Sequence, residues 1–237
     1  MSGGLEMANL SAGYLGRDVL HELSLSVPAE GLTAIIGPNG HGKTTLLRAI
    51  SGLVPRCSGA ITLDGRPLQG LRPDARVAAG VVHVPQGDMV FAEMTVLDNL
   101  LMGAYLPAAA RSAKERLEEV FALLPKLAER RGQIASTLSG GERRMLGIGR
   151  GLMADGRVIL LDEPSLGLAP IVIEQIYALI AQLKNSGRTL LVVEENAARV
   201  VELAEAIHLL DDGRFVWSGA GAELMARPEI LETYFGG

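Results

Sequence analysis

The run Gly37-Pro38-Asn39-Gly40-His41-Gly42-Lys43-Thr44-Thr45 constrains the fold more than any other stretch. It matches the phosphate-loop pattern G-x-x-x-x-G-K-[ST], and its flanks matter as much as the match. Before it, residues 32–36 read as a short buried strand; after it, residues 43–51 carry helical periodicity that stops at Gly52. A strand–loop–helix of this kind lets glycines curl the backbone until its N–H groups face phosphate oxygens, and the helix N-terminus adds partial positive charge. On this reading Lys43 reaches the β- and γ-phosphates of a Mg-nucleotide and Thr44 ligates Mg2+. Gly37, Pro38, Asn39, Gly40, Gly42 and Thr45 complete the cradle, and His41 is a loop substitution facing solvent or nucleotide. The bland reading, a glycine-rich turn without a ligand, ignores this placement.

The remaining periodicity sets an α/β frame around the loop. Residues 5–10, 19–27, 60–64 and 81–84 read as strands, the second alternating Leu23, Leu25 and Val27 against Ser24 and Ser26. Residues 95–106, 111–130 and 139–153 are helical with no strand between them, which predicts an inserted helical lobe. From residue 158 strands and helices alternate: strand 158–161, helix 171–184, strand 189–193, helix 197–204, strand 207–210. Such alternation implies a mainly parallel sheet with helices on both faces.

A second group of residues has the chemistry to act on a bound nucleotide. Val158-Ile159-Leu160-Leu161-Asp162-Glu163 is a buried strand ending in two acids, and in a parallel sheet that end lies on the phosphate-loop edge. Asp162 is placed to hold the Mg2+ shell and Glu163 to orient or deprotonate the attacking water. Leu138-Ser139-Gly140-Gly141-Glu142 opens a helix with a hydroxyl and free N–H groups, an anion-binding terminus or simply a capped helix.

Composition removes several other classes. A formal charge of −5 gives no electrostatic footprint for nucleic acid. Cys57, the only cysteine, cannot form an internal disulfide, which suits a reducing setting. The start of the chain has no signal-peptide pattern, and its apolar stretches are strand-length, so any service to a membrane is expected through another chain.

Taken together, the phosphate loop, the acid pair, Gln86 in Val84-Pro85-Gln86 and the Ser139-Gly140-Gly141 helix start resemble the ABC-type ATPases over essentially the whole chain. The resemblance implies an α/β P-loop NTPase (ABC ATPase) core with a mainly parallel sheet, an antiparallel β subdomain and an inserted helical subdomain. As one ABC ATPase domain over 1–237, the chain divides into a nucleotide-binding core with the β subdomain (1–86 and 156–237) and a helical signature subdomain (87–155). The cofactors implied are ATP and Mg2+. In that family two ATPase domains pair head to tail, so each ATP lies between one phosphate loop and the other domain's signature. By resemblance, Tyr14 stacks on adenine or is a half-buried strand residue, Gln86 senses Mg2+ and the membrane subunit, and Ser139, Gly140 and Gly141 meet the partner's nucleotide.

Further stretches are similar to the smaller, LivF-type ATPase subunits of bacterial importers for branched-chain amino acids: residues 102–106, Arg130-Arg131, 137–142, 165–170 and Tyr234-Phe235-Gly236-Gly237. That likeness implies a peripheral subunit on the cytoplasmic face of the bacterial inner membrane. Its implied partners are a second, different ATPase chain, two membrane-spanning permease subunits and, indirectly, a solute-binding protein; no nucleic acid is among them. Two departures stand out. Glu195 occupies the position where most of the family has a γ-phosphate-contacting histidine, which opens a weakly hydrolysing regulatory role as an alternative; His208, on a later strand, is a packed or edge residue instead. The stretch Gly87-Asp88-Met89-Val90-Phe91 lacks the arginines common in these importers, and Val-Pro-Gln-Gly also occurs in related urea importers, the other alternative. Arg143-Arg144 replaces a frequent Gln-Gln pair and is expected on a solvated helix face.

Overall fold

The computed structural model describes residues 4–87 and 89–235, so Asp88, Gly236 and Gly237 of the stretches above lie outside the described residues. The chain opens with the antiparallel strands β1 (Leu5–Tyr14) and β2 (Arg17–Val27), then β3 (Leu32–Ile36), the phosphate loop and α1 (Lys43–Ile50). There follow β4 (Arg56–Leu63), β5 (Arg66–Pro67), α2 (Pro73–Ala79) and β6 (Val81–Val84). Five helices fill the stretch before the next strand: α3 (Val96–Gly103), α4 (Pro107–Arg111), α5 (Ala113–Leu123), α6 (Pro125–Glu129) and α7 (Gly140–Leu152). The chain returns to strands with β7 (Val158–Asp162), α8 (Pro170–Asn185), β8 (Thr189–Glu194), β9 (Ala206–Asp211) and β10 (Arg214–Gly219), and ends in α9 (Gly221–Met225) and α10 (Pro228–Phe235).

Two sheets result, a four-stranded one in the order β2-β1-β4-β5 and a six-stranded one in the order β10-β9-β3-β8-β7-β6. The smaller sheet is antiparallel throughout, whereas the larger is parallel except for the β9–β10 hairpin at one edge. The central strands are continuous apolar runs because both of their faces are covered. On β7, Ile159 and Leu161 face the helical layer while Val158 and Leu160 face α1 and the small sheet. Leu190 and Val192 of β8 point one way and Leu191 and Val193 the other, so two cores share one sheet as their common wall.

Three expectations are corrected. The helix expected over 111–130 is three pieces, broken at Ser112 and at Pro125, whose ring fits the first turn of a new helix but not the interior of an old one. Residues 197–204 form a single 3-10 turn at Ala197–Arg199, closed by the Asn196 side chain accepting from the Ala198 N–H; the apolar spacing there reflects Ala197 and Val200 packing into the core from an irregular segment. The short strand expected over 60–64 spans Arg56–Leu63. The helices α2, α9 and α10 and the strand β10 were not anticipated, although the Pro73 start and Gly80 stop of α2 and the Asp212-Gly213 turn before β10 are available as signals.

Arg76 of α2 holds the far end of α1. Its guanidinium, 6% exposed, donates to the carbonyls of Ala49 (2.8 Å) and Ile50 (2.7 Å) in the last turn of α1 and to that of Leu71 (3.2 Å). Arg76→Met removes those donors from buried carbonyls and is expected to lower stability by about 2–3 kcal/mol in chemical denaturation. An unchanged denaturation midpoint would show the contact to be dispensable.

Candidate nucleotide-binding site

Parallel register brings distant segments to one edge. Ile36 of β3 pairs with Glu194 of β8 and Leu209 of β9, Asp162 of β7 pairs with Val193, and Val84 of β6 pairs with Leu161. The carboxyl ends of β3, β6, β7, β8 and β9 therefore finish side by side, with Asp211 closing β9 and Gly37, Gln86, Glu163, Glu195 and Asp212 within two residues beyond the ends. This is the edge at which open parallel sheets bind ligands.

The phosphate loop closes on itself through Lys43. Its ammonium, 3% exposed, donates to the carbonyls of Gly37 (2.7 Å) and Pro38 (3.0 Å) and lies 3.2 Å from Glu163 Oε1. Gly42 precedes the helix with φ +106°, a left-handed conformation, and a Cβ there would stand 2.8 Å from Leu20 Cδ2, so the position needs glycine. The cavity at the loop, about 180 Å3, is lined by Asn39, Gly40, Gly42, Lys43, Thr44, Thr45, Gln86 and Glu163. That volume suits phosphate groups rather than a whole nucleotide.

The acidic groups around it are each held. Asp162 Oδ1 accepts from Thr44 Oγ1 at 3.0 Å, while the buried Oδ2 has no hydrogen-bond partner among the described residues and lies 3.8 Å from His83 Nε2. An open buried carboxylate oxygen beside a threonine hydroxyl fits a hard divalent cation. Mg2+ takes one or two protein oxygens and completes its shell with phosphates and water, a demand that Thr44 and Asp162 could meet. Glu163 adopts φ +43°, and its carboxylate also accepts from Gln86 Nε2 at 3.0 Å. Glu195 Oε2 accepts from Asn39 Nδ2 at 3.0 Å, so this acid is tied to the loop itself.

Other singled-out residues sit elsewhere. His41 turns to Asp211 (Nδ1 to Oδ1, 2.7 Å) rather than out to solvent, because the turn after β9 docks on the loop through the Gly213 N–H and the His41 carbonyl at 3.2 Å. Tyr14 ends β1 half-buried against the core shared by α1 and the small sheet; its hydroxyl is buried with no hydrogen-bond partner among the described residues, and it does not line the loop cavity. His208, on β9, is a packed residue: its Nδ1 lies 2.7 Å from Ser218 Oγ, its ring 5.1 Å from that of Phe215, and burial pulls its pKa down.

Ser139, Gly140 and Gly141 open α7 outside the loop cavity. Ser139 and Glu142 form a reciprocal capping box, and the Ser139 backbone N–H, the largest contribution, holds the Glu142 carboxyl below its usual pKa. A Cβ on Gly141 would come within 2.7 Å of Val172, so α7 lies flush against the first turn of α8. The solvated face expected for Arg143-Arg144 is corrected: Arg144 is 3% exposed and donates to the carbonyl of Gly87 at 2.9 Å, and Arg143 to that of Leu138 at 2.6 Å. Arg144 thus joins α7 to the segment after Gln86, which Arg150 also braces through the Met89 carbonyl and the Phe91 ring, 5.0 Å away. No one-residue signal could have exposed this, because the carbonyls it meets come from more than 50 positions earlier (|i−j| = 57).

The comparisons with known proteins agree with this architecture. The family profile described as ABC transporter matches residues 20–166. The chain is 40% identical over 225 residues to the high-affinity branched-chain amino acid transport ATP-binding protein BraG of Pseudomonas aeruginosa, covering 94% of this chain and 96% of that protein. It is 36% identical to the probable branched-chain amino acid transport ATP-binding protein LivF of Archaeoglobus fulgidus, with 98% of each chain covered. The lipopolysaccharide export system ATP-binding protein LptB of Escherichia coli is 32% identical, over 98% of this chain and 97% of that one. Among solved structures, the ADP conformation of an ATP-binding cassette of an ABC transporter superposes with a TM-score of 0.83 at 29% identity, over 100% of both chains. With a profile match across the phosphate loop, the signature and the acid pair, and relatives this similar over nearly their full length, the chain belongs to the ABC transporter ATP-binding proteins, ATPases that couple hydrolysis to transport.

Proposed function

We propose that the chain is the ATP-hydrolysing subunit of a bacterial importer for branched-chain amino acids, working as half of a composite site on the cytoplasmic face of the inner membrane. Its partners on this reading are a second and different ATPase chain, two permease subunits and, through them, a solute-binding protein. The observation that carries it is the separation of the site's two halves. The phosphate-sized cavity is lined by Lys43, Thr44, Gln86 and Glu163 but by no residue of 139–141. A second copy of the signature, supplied by the partner, would complete it. The likeness to BraG and LivF, stronger than that to LptB, favours import of these amino acids over export.

Within this reading the core (1–86 and 156–237) binds nucleotide and the helical part (87–155) presents the signature. Residues 37–45 cradle the phosphates, Lys43 neutralises their charge, and Tyr14 lies on the adenine side. Thr44 and Asp162, with Gln86, would hold Mg2+, which would supply positive charge against the charge developing on the phosphates. Glu163 takes up the proton of the attacking water, and Gln86, already bonded to it, links that carboxylate to the membrane subunit. Ser139, Gly140 and Gly141 meet the partner's nucleotide. Glu195, held by Asn39, is placed to orient the loop at the γ-phosphate side.

Lys43→Ala is expected to weaken ATP binding by about 10- to 100-fold in equilibrium titration, the loss of charge-assisted hydrogen bonds worth about 1.5–3 kcal/mol. Glu163→Gln is expected to cut hydrolysis by about 100-fold or more while the complex retains ATP and stays closed on size-exclusion chromatography. Wild-type turnover in that variant would remove Glu163 from its role. In the assembled complex, Glu195→His should leave ATPase activity within about threefold, a barrier change of under about 0.7 kcal/mol; a rise of tenfold or more, about 1.4 kcal/mol, would favour the regulatory reading. The import reading itself is tested by uptake of labelled leucine into proteoliposomes of the complex with its binding protein and internal Mg-ATP. ATP-dependent uptake supports it, and hydrolysis without uptake contradicts it.

A further inference from the structure

Glu194 ends β8 at 1% exposure, and no step above uses its carboxylate. Oε1 accepts from Ser165 Oγ and from the Tyr177 hydroxyl, each at 2.6 Å. Arg199 Nη1 donates to Ser165 Oγ and lies 3.7 Å from Glu194 Oε2. A carboxylate withdrawn from water persists only when it is paired and hydrogen-bonded, and here the partners come from three separate places: the loop after β7, the helix α8 and the turn after β8. Burial first, and then the charge of Glu194, push the Tyr177 phenol far above its ordinary pKa, so it stays a donor at any working pH.

The cluster sits where it can control the chemistry. Ser165 is two residues beyond Glu163, and Glu194 is the residue before Glu195. The Glu163 N–H donates to the Val193 carbonyl at 3.0 Å, so the segment 163–165 is fastened to the end of β8 twice, by backbone at Val193 and by side chain at Glu194. Glu163 holds φ +43°, a left-handed conformation that a residue with a Cβ resists and that endures only where its surroundings over-determine it. Tyr177 does not line the phosphate-loop cavity, so any effect it has on turnover passes through other residues.

We propose that Ser165, Tyr177, Glu194 and Arg199 form a positioning unit that holds Glu163 in its strained backbone conformation and so aims its carboxylate at the attacking water. This rests on the reading of Glu163 given above. The test is a double-mutant cycle in the assembled complex with Tyr177→Phe, Glu163→Gln and both together. Tyr177→Phe is expected to lower kcat by about 5- to 20-fold with KM for ATP held within about twofold, and to add no further loss in the Glu163→Gln background. Losses that multiply in the double variant, or an unchanged kcat in Tyr177→Phe, overturn the proposal. Should Tyr177→Phe not assemble, Arg199→Gln at the cluster's more accessible rim must give the same pattern, and its failure to do so overturns the proposal equally. Wild-type turnover by Glu163→Gln alone refutes instead the role of Glu163, an outcome read from its own arm of the cycle.

Discussion

The buried ammonium of Lys43 is the interaction on which the site depends. It joins the start of the phosphate loop, through the carbonyls of Gly37 and Pro38, to the acid that follows β7, through Glu163. Each of these groups is an acceptor with little access to water, and stripping a buried charge of its partner costs about 3–5 kcal/mol. The same cation that keeps the loop curled also brings Glu163 to the mouth of the cavity. Gln86 meets Glu163 from the opposite side, so the acid is held between the loop and the end of β6.

That arrangement exists because the strands run parallel. Each strand is a short, mainly apolar run buried on both faces, and the charged residues Asp162 and Glu194 close β7 and β8 at their carboxyl ends, on a single edge. The chain returns to the opposite edge through the helical insertion before β7, through α8 before β8 and through an irregular segment before β9, so Asp162, 118 positions after Thr44, lands within hydrogen-bond distance of it. The signature, in contrast, belongs to the helix α7, packed on α8 and capped by its own box, and stands clear of the loop cavity. On the proposed reading each chain contributes a phosphate loop and a signature to separate sites, and pairing with another ATPase would make them whole.

Much of this was legible in the sequence, for reasons that differ from element to element. Strands β3, β6, β7 and β8 announce themselves as short, mainly apolar runs, and the phosphate loop by its glycines between a strand and a helix. The acid pair and Gln86 could be placed on the same edge once the sheet was read as parallel. Helix boundaries were harder: the periodicity of residues 111–130 runs through Ser112 and Pro125, because separate short helices packed on one core keep the same apolar phase. Least legible were residues whose meaning lies in distant partners. Arg144 looks like surface charge until the segment after Gln86 folds beneath it, His41 looks like a loop substitution until Asp211 arrives beside it, and Glu194 looks like the polar end of a strand until Ser165, Tyr177 and Arg199 close around it.

The central claim is that this chain carries half of each composite site and cannot complete a hydrolytic site alone. Single-turnover hydrolysis of Mg-ATP, followed as the chain is diluted and then supplemented with its partner ATPase, tests it most directly. The account predicts a rate per molecule that falls toward zero on dilution and is restored by the partner. A rate per molecule that stays constant through dilution would mean that one chain holds a whole site, and would contradict the account.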